Sequence, residues 1–108
     1  MEVNSISDYL KPNMPLPQYL PYARFLLDTD LSHTAKLLYT LLLDRATLSQ
    51  KNNWVDERGF VYVIFPLSAL SKALRCSTMS IKRALRSLED ADLIERRRGR
   101  ITVPNSIF

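Results

Sequence analysis

A chain of 108 residues, 46% hydrophobic, is long enough for one packed core and too short for two, and it has no apolar run near the ~20 residues that a membrane-crossing helix requires. Its formal charge of +4 is modest, but nine bases and four acids fall between residues 72 and 100, while the remainder is slightly acidic, so the positive charge is concentrated as a phosphate-binding surface requires. The N-terminus lacks the basic start and apolar centre of a signal peptide, and a single cysteine can neither close an internal disulfide nor nucleate a zinc cluster; a cytoplasmic protein without metal or other cofactor is expected.

Residues 1–24 contain Pro12, Pro15, Pro17 and Pro21, which remove backbone donors and oppose any long regular element. Tyr9, Leu10, Leu16, Tyr19, Leu20 and Tyr22 are too apolar for a purely solvated tail. The segment reads as an arm that either lies over its own domain or packs on a second subunit. A core helix is predicted from Asp30–Thr34 onward to Leu48, capped by Ser32 or Asp30. Its leucines cover more than one narrow stripe, which suggests burial on two sides, by the domain and by a partner. His33, the only histidine, is read as a surface or capping residue.

After the polar break Gln50–Asn53, Trp54–Phe65 reads as a hairpin that turns at Gly59, with Trp54 in the core and Pro66 ending the strand. Leu67–Arg75 predicts a short helix with Leu67, Leu70, Ala73 and Leu74 inward. A brief turn follows, in which Cys76 reads as a small buried hydrophobe that lets two helices approach. Ser77 is the expected N-cap of a longer helix from Thr78. At about 100° per residue, Ile81, Ala84, Leu85 and Leu88 share one stripe, and Met79, Lys82, Arg83 and Arg86 gather opposite. One face can pack and the other can meet a polyanion. The pair makes a helix-turn-helix.

Asp92–Arg96 then predicts the first strand of a basic hairpin containing Arg96, Arg97, Arg98, Gly99 and Arg100. Ile101–Val103 would close it tightly around Gly99, whereas Asn105–Phe108 would leave a longer loop from Arg98 to Pro104; the longer loop is the favoured reading. Ending on apolar Ile107-Phe108 suggests an N-terminal domain excised from a longer protein. The expected fold class is mainly α with small β hairpins (α+β), in two parts: an arm over 1–24 and a helix-turn-helix domain over 25–108.

These residues also resemble a known family. Leu31-Ser32-x-x-Ala35-Lys36-Leu37-Leu38-Tyr39, Asn53-Trp54-x-Asp56-Glu57-x-Gly59-x-Val61-Tyr62, Cys76-Ser77-x-x-Ser80-Ile81-x-x-Ala84-Leu85, Leu93-Ile94-Glu95-Arg96 and Pro104-Asn105-x-Ile107-Phe108 look like the N-terminal domain of RepA-type plasmid replication initiators of Gram-positive bacteria, over about residues 19–108. Ser80 stands where that family usually shows threonine, and Arg100–Val103 replaces a more glycine-rich wing. The resemblance implies a winged helix-turn-helix that dimerises and binds repeats at a plasmid origin, with host replication proteins engaged through a separate C-terminal domain.

The expected function is sequence-specific binding of double-stranded DNA. Ser77, Thr78, Met79, Ser80, Lys82 and Arg83 would lie nearest bases or flanking phosphates, since residues early in a recognition helix reach deepest. Arg83 is the best candidate for a guanine; Lys72, Arg75 and Arg86 would hold phosphates, and Arg97, Arg98 and Arg100 would follow the backbone or enter a minor groove. The alternatives are a transcriptional regulator on the same fold and a protein-interaction module that meets an acidic partner. Enzymatic activity is not expected, because Asp56-Glu57 sit in a turn, Glu89-Asp90 end a helix, and no second ligand set accompanies them.

Overall fold

Three helices and a small antiparallel sheet alternate along the chain, and the computed structural model describes them over residues 9–103. A 3-10 turn at Arg24–Asp28 precedes helix α1 (His33–Lys51), strand β1 (Tyr62–Val63), helices α2 (Leu67–Leu74) and α3 (Thr78–Asp90), and strands β2 (Glu95–Arg97) and β3 (Arg100–Thr102). The sheet order is β1-β3-β2, with Val63 opposite Ile101, and Ile101 opposite Arg96. This is the winged helix-turn-helix arrangement, α+β in class. No described helix is long and apolar enough to cross a membrane.

Local chemistry sets the helix limits. Ser32 and Ser77 each accept a hydrogen bond from the backbone N–H three residues on, at 3.1 Å, which satisfies one orphan donor at the start of α1 and of α3. Pro66 precedes α2, where its missing N–H costs nothing. Arg75 ends α2 in the left-handed region, at φ 53°, and turns the chain sharply into α3. The Cys76 N–H donates to the Ser71 carbonyl, and the Ser71 hydroxyl donates back to the Cys76 carbonyl, so the turn is fastened from both sides. Asp92, at φ 58°, closes α3, with the Leu93 N–H bonded to the Leu88 carbonyl at 2.9 Å. That reversal drops Leu93 and Ile94 into the core.

The core gathers Leu38 and Leu42 of α1, Leu70 of α2, Ile81 and Leu88 of α3, Val63 of β1 and Leu26 of the 3-10 turn, all wholly buried. Helix α3 therefore sits on α1 and α2 by the stripe its spacing predicts, and its opposite face is in solvent.

Several expectations are corrected. The wing closes tightly: β3 begins directly after Gly99, so the favoured longer loop is wrong, and Asn105–Phe108 lie outside the described residues. Trp54 is 49% exposed rather than core, since the Trp54–Phe65 hairpin holds only a Val55–Val61 bridge before β1. Ala73 faces solvent, and Cys76 is half-buried. Helix α1 begins at His33, runs to Lys51 and leaves Leu37 and Leu48 about half exposed. In the arm, Leu16 to Leu20 pass α1 near Asp44 with Leu16, Tyr19 and Leu20 exposed, while Ala23 packs against the core.

Candidate nucleic-acid interface

Helix α3 and the β2–β3 wing enclose an open groove of about 810 Å³. Lys82, Arg83 and Arg86 line it from the helix; Arg96, Gly99 and Arg100 line it from the wing; Phe65, Leu67, Leu70, Leu85 and Ile101 form its floor. Among the described residues, Lys82, Arg83 and Arg86 make no ion pair within 4.0 Å. Their charges are therefore available to a ligand. The groove admits a polyanion along its length, because its cations come from two elements whose relative position the core fixes.

The start of α3 belongs to the same surface. Thr78 and Met79 are exposed in its first turn, while Ser77 and Ser80 are joined through their hydroxyls at 3.0 Å. Lys72 and Arg75 are exposed at the end of α2 and in the turn, and do not line the groove.

The wing divides its arginines between two sides, because successive residues of a strand point to opposite faces. Arg96 lies opposite buried Ile101 and faces α3, where its Nη2 donates to Glu89 Oε1 at 2.6 Å. Arg97 pairs with Arg100, and with Arg98 they line a second cleft, of about 170 Å³, against Asp56, Glu57 and Arg58. Arg98 therefore does not join Arg83 in the groove; Arg100, which lines both spaces, does. The Arg100 guanidinium lies 4.3 Å from the centre of the Tyr62 ring, a stack that orders the side chain without neutralising it.

The second cleft is more nearly balanced in charge. Arg58 donates to Asp56 and to Glu95, the latter at 2.7 Å, and Arg97 stands 3.9 Å from Glu57. The hydrogen bond from Arg58 is the largest influence on the Glu95 carboxyl and holds it below the usual carboxylate range. At Asp56, partial desolvation pushes upward but is outweighed by the Phe60 N–H and by the side chain and N–H of Arg58, so this carboxyl is lowered too. A lowered pKa means that both pairs persist above the ordinary carboxylate range and are lost as pH falls below it.

Glu89, Arg96 and Phe65 also line the groove, and sequence reasoning did not name them as site residues. Strand alternation carried the signal for Arg96, since the closing strand places buried Ile101 beside it.

At the wing tip Arg98 and Gly99 both have positive φ, 50° and 75°, as a two-residue hairpin turn of type I′ demands. Asparagine suits the first of these positions and arginine does not. Arg98→Asn is expected to raise stability by about 0.5–1 kcal/mol in a urea titration, by relieving left-handed strain.

Helix-turn-helix, three-stranded sheet and cationic groove together define a winged-helix domain built around a groove suited to a polyanion. The chain belongs to the family described as replication initiator protein A (RepA) N-terminus, which matches residues 16–108. Among solved structures it is similar to one described as the structure of an MDR initiator, with 30% identity and a TM-score of 0.69 over 82% of this chain and 77% of the other. It is also similar to an N-terminal domain of a DNA binding protein (26%, TM-score 0.70) and to a Rep-DNA complex (26%, TM-score 0.68), each over 84% of this chain and 77% of the other. No curated protein matches the sequence.

Proposed function

We propose that the domain binds double-stranded DNA in a sequence-specific manner at repeats of a plasmid replication origin, and that this binding initiates plasmid replication. The observation that carries the reading is the convergence of Lys82, Arg83 and Arg86, without an ion pair among the described residues, with Arg100 of the wing on one groove, in a chain of the replication initiator family. Similarity to a Rep-DNA complex supports duplex DNA as the polyanion.

In this reading α3 enters the major groove by its first turns. Arg83 donates twice to a guanine, through O6 and N7. Ser77, Thr78, Met79, Ser80 and Lys82 meet adjacent base edges or phosphates, while Lys72, Arg75 and Arg86 hold the flanking backbone. Arg97, Arg98 and Arg100 follow the next stretch of backbone or reach a minor groove.

If about six phosphates are neutralised per domain, log affinity falls against log salt with a slope near −5 in an anisotropy titration. A flat response contradicts the reading. Selection of bound fragments from a random duplex pool tests the biological part: recovered direct repeats support origin recognition, and a lone palindrome favours a transcriptional operator instead.

The domain acts as a homodimer in this proposal. Tyr9, Leu10, Leu16 and Tyr19 of the arm, and Leu37 and Leu48 of α1, expose apolar surface that a second copy would bury. Light scattering at micromolar concentration is expected to give twice the chain mass, and a single chain mass contradicts it. Host replication proteins would be engaged outside this domain.

A further inference from the structure

Among the described residues, Glu89 is the only acidic one that lines the α3–wing groove. It lies on the same stripe of α3 as Lys82 and Arg86, at spacings of seven and three residues, and it occupies the last turn of the helix. A carboxylate there is unfavourable twice over. It faces the negative end of the helix dipole, and it stands in a groove whose remaining charges are cationic. Nothing in the packing of α3 requires it, because Glu89 does not belong to the buried stripe. Its described partner is Arg96, held at 2.6 Å with both side chains about one-third or more exposed. Arg96 is thereby the groove cation whose charge is already taken in the free domain.

We propose that Glu89 is an intramolecular surrogate for phosphate: it occupies Arg96 until a duplex displaces it, and so lowers the domain's affinity for every duplex whatever its sequence. This rests on the DNA-binding reading above. The exchange requires no rearrangement of the core, since a carboxylate and a phosphate oxygen present the same acceptor chemistry to a guanidinium, and an exposed ion pair of this kind is weak and screened by solvent. Backbone contacts are indifferent to sequence, so specific and scrambled duplexes feel the competition equally.

The test is anisotropy titration of the 108-residue chain and its Glu89→Gln variant, each with a selected duplex and a scrambled 20-base-pair duplex. Because the duplex reaches Arg96 in both chains, the log–log salt slope should stay nearly the same, while loss of the competing ion pair tightens binding at 0.1 M by about two- to fivefold. Both duplexes should gain alike. In an Arg96→Gln background the Glu89→Gln gain should disappear. Asp92→Asn removes the same formal charge from an exposed position beyond α3, outside the groove, and should have much less effect.

Unchanged or weaker binding by Glu89→Gln overturns the proposal and leaves the pair as a brace between wing and helix. An equal gain from Asp92→Asn also overturns it, since net charge alone would then suffice. Absence of duplex binding by the unaltered chain is a different failure, that of the DNA-binding reading itself.

Discussion

Arg83→Ala is expected to lower affinity for the preferred duplex by roughly 5- to 150-fold, the span of about 1–3 kcal/mol that one bidentate arginine–guanine contact contributes. Affinity for scrambled duplex should fall far less, by the loss of a single charge, so the preference between the two collapses toward the non-specific level. The reason lies in position. Arg83 is on the exposed face of α3, five residues after the first helical residue, without a carboxylate partner among the described residues, and it lines the groove. Arg98 provides the contrast: at the wing tip, in the neighbouring cleft, Arg98→Ala should weaken all duplexes about equally. Parallel anisotropy titrations on selected and scrambled duplexes check both. An Arg83→Ala variant that loses both affinities in proportion would remove Arg83 from base reading.

The second large effect concerns the scaffold. Leu88→Ala should destabilise the domain by about 2–5 kcal/mol, because Leu88 is wholly buried and its removal leaves a cavity that α1 and α2 cannot close without moving α3. For a domain of this size, total stability is only about 5–15 kcal/mol, and each kcal/mol moves the melting midpoint by about 4–8 °C. A fall of at least about 8 °C is expected, with DNA binding at low temperature kept in the fraction that remains folded. Met79→Ala, on the exposed side of the same helix, should leave the melting midpoint nearly unchanged. A comparable loss from both would mean that α3 does not pack by the stripe described.

Helix α3 was legible in the sequence because its signals agree: Ser77 caps it, and its apolar and basic residues separate at 3.6-residue spacing. Tertiary context and local signals coincide there. In the wing they conflict. Pro104-Asn105 carries turn chemistry and Ile107-Phe108 looks like a strand, while Arg98-Gly99 lacks the asparagine that usually announces a two-residue turn. The chain nevertheless turns at Arg98 and Gly99, because Ile101 must reach the core beside Val63 and Ile94.

Trp54 misled for a related reason. Its size argues for burial, yet the hairpin that carries it holds only one bridge before β1 and leaves the ring outside. The candidate site was legible as a set of residue types but not as a surface. Sequence spacing places Lys82, Arg83 and Arg86 together. It cannot say that Arg96 faces them while Arg97 turns away, because that depends on the register of β2 against β3, which the misread loop would have shifted.

Among the described residues, Lys82, Arg83 and Arg86 of the helix make no ion pair, whereas Arg58, Arg96 and Arg97 of the hairpin and wing are each opposed by a carboxylate. In the proposed function, affinity depends on how many of these contacts a duplex can replace, and sequence preference on the bases that α3 meets.

The most direct measurement is an NMR titration of the chain with a duplex recovered from the random pool, following backbone amides through one saturation curve. Amides of Thr78–Arg86 and of Arg98–Ile101 should shift together, with a common midpoint. If the helix amides move while the wing amides stay in place, or the two sets saturate at different duplex concentrations, helix and wing do not clasp one duplex.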